Sequence, residues 1–302
     1  MFRPRSLRSR RRNWTQEAVR PHRRSQTADT VGAIDIDLVV SDLDGTLWQS
    51  DHDLPARTRH AIAQLDRRGV PLLIATGRRV QSTATPLRSF GLTPPAVMLN
   101  GALGIDLATA ERFHHATIAP AAARGVLDAF RSAGLEPCIY VDHEAVEVFL
   151  AAVPSTHPDH VASLGGHADR DDLDRVVAEE HVLAFSVIGR PQDELALVRQ
   201  YLGVHGVAHL NRVPDFGGYS LTVAGPGMSK WEGVVAYCAH AGLDAAKVLA
   251  IGDGENDLEL LAGAAIAVAP ADADPVVREF AQHIVGRAAD GGWADLIDLL
   301  EP

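Results

Sequence analysis

Leu38-Val39-Val40-Ser41-Asp42-Leu43-Asp44-Gly45-Thr46-Leu47 is the stretch whose reading decides the fold. Its first four residues are small or apolar and predict a short buried strand. Two carboxylates follow, Asp42 and Asp44, and then Gly45 and Thr46 turn the chain. In open α/β sheets, ligands bind beyond the carboxyl ends of the strands, so these acids would face a crevice. Side chains alternate along an extended chain, so Asp42 and Asp44 can point the same way. Like charges at close range need a cation or a shared proton, and Mg²⁺ is the hard, oxygen-seeking cation that carboxylates hold. The pattern also opens like a calcium loop. Counted from Asp42, however, the twelfth position is Asp53, not the bidentate Glu such a loop requires.

Outward from this strand, helices and strands alternate. Pro55 opens a helix with Ala61, Ile62 and Leu65 on one stripe, and Gly69 stops it. Val70 to Ala75 reads as a second strand, Val80 to Phe90 as a helix, and Ala96 to Leu99 as a third strand. Apolar strands separated by helices imply a parallel sheet covered on both faces, a Rossmann-like α/β core. Gly104 to Ile118 reads as a hairpin, and Trp48 to Leu54 as a polar loop. From about Pro120 the texture changes for some hundred residues. A helix (Ala121 to Ser132) and strands (137–141, 146–150) precede an irregular stretch, Pro154 to Asp172, rich in His, Asp and Gly. A strand (183–188), a helix (192–202) and two more strands (207–210, 219–223) complete this part. The parallel pattern then resumes: helix 231–241, strand 248–251, helix 255–261, strand 266–268, and two closing helices. The expected organisation is a disordered basic leader (1–33), a core formed by 34–115 and 224–302, and an α/β domain inserted at 116–223.

Charge is unevenly spread. Nine of the 28 basic residues and one of the 39 acidic ones lie within residues 1–24, which leaves 19 against 38 for the rest, a net of about −19. That balance argues against a nucleic-acid partner for the folded part. No apolar run reaches the ~18 residues of a membrane span, and Arg10-Arg11-Arg12 is followed by polar sequence instead of the apolar segment of an export signal. Cys138 and Cys238 are too few for a disulfide framework and read as reduced, buried thiols in a cytoplasmic protein.

Three further stretches fall at expected strand ends or helix starts. Thr76-Gly77-Arg78 offers a hydroxyl and backbone N–H groups suited to a phosphate oxygen. Lys230, one of only two lysines in the chain, stands at a helix start beside Ser229, a natural cap. Its compact charge suits a single phosphoryl oxygen. Gly252-Asp253-Gly254-Glu255-Asn256-Asp257 follows an apolar strand and clusters acids where a cation would sit.

In this order and placement, the four stretches resemble the motifs of the haloacid dehalogenase superfamily of phosphohydrolases. Asn100-Gly101-Ala102 and the Gly-Asp-Gly-Glu-Asn-Asp form are similar to its Cof-type branch, in which a large α/β cap lies between the second and third motifs. The likeness covers 36–107 and about 226–302, whereas the inserted part matches only in size and position. Leu260-Leu261 stands where the family has Leu-Met, and Ala269-Pro270-Ala271-Asp272 replaces the usual loop.

The resemblance implies a Mg²⁺-dependent phosphatase of small phosphorylated metabolites, sugar phosphates or similar monoesters. Asp42 would be the nucleophile and Asp44 the general acid and base. Asp42, the Asp44 carbonyl and Asp253 would hold the metal, with Asp257 in its outer sphere or orienting Lys230. Thr76, Gly77, Lys230 and Asn256 would hold phosphoryl oxygens, with Arg78 and Asn100 near the leaving group or purely structural. Other readings of the same parts are a sugar phosphomutase, a specialised sugar-phosphate phosphatase, or a binder that kept the fold without the chemistry. The expected partner is a small phosphorylated substrate, with no nucleic acid and no membrane, for a monomer or homodimer. His157, His160, His167, Asp159 and Asp169 match no defined zinc spacing and read as a polar cap loop. His114-His115 reads as a solvated pair.

Overall fold

The computed structural model describes residues 35–49, 53–143, 145–213 and 216–300; the expected leader lies outside them. In the first half, β1 (Leu38–Ser41), α1 (Ala56–Arg68), β2 (Leu72–Ala75), α2 (Val80–Ser89) and β3 (Pro95–Met98) alternate, and the hairpin β4 (Leu103–Asp106) and β5 (Arg112–His115) follows. Next come α3 (Pro120–Ser132), β6 (Cys138–Val141), β7 (Val148–Leu150), α4 (Pro158–Leu164), β8 (Ala168–Arg170), α5 (Leu173–Glu179), β9 (Val182–Arg190), α6 (Gln192–Leu202), β10 (Val207–Val213) and β11 (Gly218–Ala224). The last third holds α7 (Lys230–Ala241), β12 (Val248–Ile251), α8 (Leu258–Gly263), β13 (Ile266–Pro270), α9 (Pro275–Phe280), β14 (His283–Val285) and α10 (Leu296–Leu299).

The strands form two sheets. The larger has the order β14-β13-β12-β1-β2-β3-β4-β5, parallel from β14 through β3 and antiparallel over the β4–β5 hairpin. Its central strands are apolar on both faces because both faces are covered. In β1, Val39 packs with Leu65, Leu87 and Trp293 on one side, while Leu38 and Val40 pack with Val234, Cys238 and Leu260 on the other. The order reverses at β1, so that the ends of β1 and β12 open the crevice where such folds bind ligands. This is the doubly covered α/β sheet that the alternation implies.

The smaller sheet has the order β10-β11-β9-β6-β7-β8. α3 places Ala123, Val126, Leu127 and Phe130 on one stripe and buries them, with α5 and α6, against Ile139, Phe185 and Leu221. The opposite face turns to the larger sheet: Cys138, Tyr140 and Ala184 share a core with Leu99 and Leu103. Two ion pairs tie the parts together. Arg79, at the start of α2, pairs with Glu147, just before β7, and also donates to the Ser163 carbonyl at 3.2 Å. Arg112 of β5 donates to Asp142 Oδ1 at 2.9 and 2.7 Å.

Several local expectations need correction. Residues 154–172 are not irregular, because Pro158 occupies the first turn of α4 and the His157 ring caps it, accepting from the Asp159 N–H at 3.2 Å. The acidic run 171–174 conceals α5, which Asp172 caps and which buries Leu173, Val176 and Val177. Trp48 is not part of a polar loop but is fully buried. Of the expected solvated pair, His114 is half-buried, which lowers its pKa, whereas His115 is exposed and lies 3.1 Å from Asp142. The expected helix 255–261 begins as a 3₁₀ turn over Glu255–Asp257.

The Arg79–Glu147 pair is mostly buried, and Glu147 also accepts from the Gln81 N–H at 3.2 Å. Glu147→Ala would strand a guanidinium between the two sheets. The expected cost is about 2–3 kcal/mol, somewhat below that of breaking a fully buried pair. Urea denaturation of the two proteins measures it.

Candidate active site

β1 ends at Ser41, and the next residue, Asp42, donates its N–H to the Ile251 carbonyl at the end of β12 (3.0 Å). This bond sets the two strand ends side by side. A brace fixes the turn: Trp293 Nε1 donates to Ser41 Oγ (2.9 Å), and Ser41 Oγ donates to the Asp42 carbonyl (2.6 Å). The brace comes from a residue 252 positions away, which no local pattern could announce.

Lys230 enters from the first turn of α7, whose cap is Ser229 Oγ accepting from the Glu232 N–H at 3.4 Å. Its ammonium lies 2.9 Å from Asp42 Oδ1 and 2.7 Å from Asp257 Oδ1. Lys230 is 1% exposed and Asp42 6%. The other oxygen of Asp257 accepts from the N–H groups of Asp253 and Gly254 at 3.0 and 3.1 Å, which folds the 252–257 turn around that carboxylate. Asp253 Oδ1 accepts from Thr46 Oγ1 at 2.9 Å. Gly45 sits at φ +75, and a Cβ there would come within 2.5 Å of Asp253 Oδ2. Glycine is required at that position both by its conformation and by its space.

One oxygen from each of Asp42, Asp253 and Asp257 can be chosen so that the three lie within 4.8 Å of one another. Two of these three carboxylates, Asp42 and Asp257, contact the single Lys230 ammonium. Burial pushes the Asp42 carboxyl up to about 7; Lys230 opposes this, and Asp257 and Asp44 add to it. Burial, then Asp42 and Asp257, pushes Asp253 up to about 8. Burial works against the Lys230 ammonium, but Asp257 and Asp42 outweigh it and raise its pKa. The cluster therefore carries an excess of buried negative charge on hard oxygen donors, which fits a divalent cation such as Mg²⁺.

Asp44 has different surroundings. Its carboxylate is half-exposed and takes both Arg78 Nε and Nη2 at 2.6 Å, with Trp48 Nε1 at 3.1 Å. Thr76, buried at the end of β2, accepts from the Arg78 N–H at 3.2 Å. The Asn100 backbone is left-handed (φ 54), with its N–H bonded to the Thr76 carbonyl at 3.1 Å. Asn100 Oδ1 accepts from Asn256 Nδ2 at 3.2 Å, while the buried Asn100 Nδ2 has no partner. Gly77 lies directly against the Asn100 amide. Thus Asp42, Asp253, Asp257 and Lys230 form one knot, Thr76, Gly77, Asn100 and Asn256 line a second, and Asp44 with Arg78 forms a third, partly open to solvent. Sequence reasoning passed over Trp48, Ser41 and Trp293, which hold these groups in place. His157, by contrast, caps α4, and His160 bonds Thr156 at 2.9 Å and meets Phe216 edge-on.

The arrangement can present a buried carboxylate to an electrophile, with an ammonium and backbone N–H groups beside it. Comparison with known proteins agrees with that chemistry. The phosphoglycolate phosphatase of Methanopyrus kandleri is 25% identical over 86% of this chain and 95% of its own. The 5-amino-6-(5-phospho-D-ribitylamino)uracil phosphatase YitU of Bacillus subtilis is 24% identical over 85% and 94%. BT1666 from Bacteroides thetaiotaomicron, a solved phosphatase structure of the haloalkanoate dehalogenase superfamily, superposes with a TM-score of 0.72 at 19% identity, covering 91% of this chain and 99% of its own. A family model described as haloacid dehalogenase-like hydrolase matches residues 39–297. The chain belongs to the haloacid dehalogenase-like hydrolases, the phosphohydrolase family that its motifs resemble.

Proposed function

We propose that the protein is a Mg²⁺-dependent phosphatase of small phosphorylated metabolites, working through an aspartyl-phosphate on Asp42. The observation that carries this reading is the buried knot of Asp42, Lys230, Asp253 and Asp257 at the ends of β1 and β12. A fold alone needs none of these charges. The names of the relatives, phosphatases of small phosphate esters, support the same reading.

In this mechanism the Asp42 carboxylate attacks phosphorus, a P–O bond to Asp42 forms, and the bond to the leaving oxygen breaks. Asp44 gives its proton to that oxygen, exchanging the Arg78 contact for it. Water then attacks the phosphoaspartate, its proton goes to Asp44, and inorganic phosphate leaves with Asp42 restored. Lys230 keeps the Asp42 carboxylate oriented and offers its remaining hydrogen to a phosphoryl oxygen, with Thr76, Gly77 and Asn256 holding the others. Asp42, Asp253 and the Asp44 carbonyl would hold Mg²⁺, and Asp257 would orient Lys230. Bound there, Mg²⁺ would offset charge on the carboxylates and the phosphoryl group. Residues 34–115 and 224–302 form the catalytic core in this reading, and 116–223 form a cap that discriminates among leaving groups. Two buried, unpaired cysteines support a reducing, cytoplasmic setting. Among the described residues no helix is long and apolar enough to cross a membrane.

Asp42→Asn removes the attacking carboxylate and one metal ligand. Phosphate release from p-nitrophenyl phosphate is expected to fall about 10,000-fold or more, with the circular dichroism spectrum preserved. Retention of more than a few per cent of activity would place the nucleophile elsewhere.

The raised acids set a second expectation. A carboxyl group whose folded pKa lies above its unfolded value stabilises the fold while protonated, and that contribution is lost as pH rises through the folded pKa. Metal-free protein should therefore lose stability as pH rises from about 4 towards 8, between the ordinary carboxylate value of 3.8 and the values of about 7 and 8 for Asp42 and Asp253, and level off above that. At pH 8, Mg²⁺ at a hundred times its Kd should restore about 2.7 kcal/mol, and the same Mg²⁺ concentration should restore less at pH 5, where protons compete for the carboxylates. Thermal melts with and without Mg²⁺ across this range test it; a gain independent of pH would place the metal away from these acids.

A further inference from the structure

The face of the smaller sheet that turns towards the larger one carries a row of polar side chains. Cross-strand register aligns Cys138 of β6, Ser186 of β9, Thr222 of β11 and His209 of β10. One step along, Asn211 of β10 pairs with Ser220 of β11. The alternate residues, Phe185, Val187, Leu221, Val223, Ala208 and Leu210, point the other way into the core beneath α3, α5 and α6. Ser186 Oγ and Thr222 Oγ1 are within 3.3 Å of each other. His209 Nε2 is buried and has no hydrogen-bond partner among the described residues.

This face lies over the site. β10 packs against the Glu255–Asp257 turn, which carries the carboxylate that holds Lys230 and the amide that bonds Asn100. Asn100, whose Oδ1 bonds Asn256 of that turn, has a buried Nδ2 that also lacks a partner among the described residues. An unpaired buried donor or acceptor costs about 1–3 kcal/mol, and native proteins keep few of them. Two beside one turn are accounted for if a ligand supplies their partners.

We propose that His209 is a specificity-determining residue whose Nε2 hydrogen-bonds the leaving group of the substrate, and that this face selects uncharged, hydroxyl-bearing leaving groups over anionic ones. The proposal rests on the phosphatase reading above. Imidazole, hydroxyl and amide groups match a polyol or sugar hydroxyl, which both donates and accepts. A carboxylate or second phosphate would call for a cation. At positions 184, 186, 188, 207, 209, 211, 220 and 222 there is no Lys or Arg. Two guanidinium groups on the core side have other partners, Arg78 on Asp44 and Arg79 on Glu147. Burial, with Lys230 and Arg199 nearby, pushes the His209 imidazole down to about 4, so at neutral pH it is uncharged and offers one N–H and one lone pair.

The test compares kcat/KM for ribitol 5-phosphate, glycerol 3-phosphate and glucose 6-phosphate with that for phosphoglycolate and for p-nitrophenyl phosphate. At least one of the three hydroxylated esters should exceed phosphoglycolate in the native protein. His209→Ala should lower the ratio of kcat/KM for that ester to kcat/KM for p-nitrophenyl phosphate about tenfold or more, mainly through KM. His209→Gln, which keeps an N–H donor of similar reach, should recover part of the ratio and guards against a variant that merely folds poorly. A preference for phosphoglycolate, or an unchanged ratio in a well-folded His209→Ala protein, would overturn the proposal. Failure of the native protein to release phosphate from any ester, p-nitrophenyl phosphate included, would instead overturn the phosphatase reading itself.

Discussion

A single ammonium, buried between Asp42 and Asp257, is the interaction on which the site depends. It is placed against two gradients. A cation at the first turn of a helix opposes the helix dipole, and a charge with 1% exposure has lost its hydration. Only the two carboxylates make Lys230 tolerable there, and each is buried in turn. The surrounding backbone is shaped to permit this contact. Gly101 comes so close to the start of α7 that a Cβ would lie 2.0 Å from the Ser229 carbonyl oxygen. The β1 end, the 252–257 turn and α7 are therefore not independent pieces that happen to meet; displacing one strands a charge held by the others.

The same knot explains why its excess negative charge is useful. With Lys230 shared between Asp42 and Asp257, the donor to the Asp253 carboxylate among the described residues is the Thr46 hydroxyl. Burial, reinforced by the neighbouring carboxylates, raises Asp42 and Asp253 into the neutral range. A dianionic phosphoryl group would be repelled by such a cluster unless further positive charge arrived with it. Thus the electrostatics of the carboxylate cluster and the needs of phosphoryl transfer call for the same additional positive charge.

The larger sheet was legible in sequence because it is buried on both faces. Its strands β1, β2, β3, β12 and β13 are mostly apolar runs of four or five residues, and the residues just past them, 42–46, 76–78, 100 and 252–257, are where polar chemistry interrupts the pattern. What could not be read locally depends on distant partners. Trp48 looked like the start of a polar loop, yet its ring is buried and its N–H bonds Asp44. Glu147 is one acid among many until Arg79 is placed opposite it. α4 and α5 were obscured because seven-residue helices give too little periodicity to outweigh a background of His, Asp and Gly. Their caps, His157 and Asp172, become visible only when the N–H groups they receive are known.

His209 illustrates the remaining limit. In sequence it is one histidine of 14, in a strand between Ala208 and Leu210. Period-two alternation separates Ala208 and Leu210 from His209 and Asn211 but does not tell which pair faces a core and which faces a ligand. That follows from the antiparallel register through β11 and β9, which brings Ser186 and Thr222 into the same row. Sheets usually bury an apolar face when another layer covers them. Here the first strands, β6 and β7, do so with Tyr140, Val148 and Leu150, whereas the far strands turn polar where β10 crosses the 252–257 turn. The change occurs along one continuous face, at the place where it ceases to cover core and begins to cover the Lys230 knot. Packing requires the apolar half, whereas the polar half, with an unpartnered imidazole nitrogen within it, is accounted for by a ligand between the sheets.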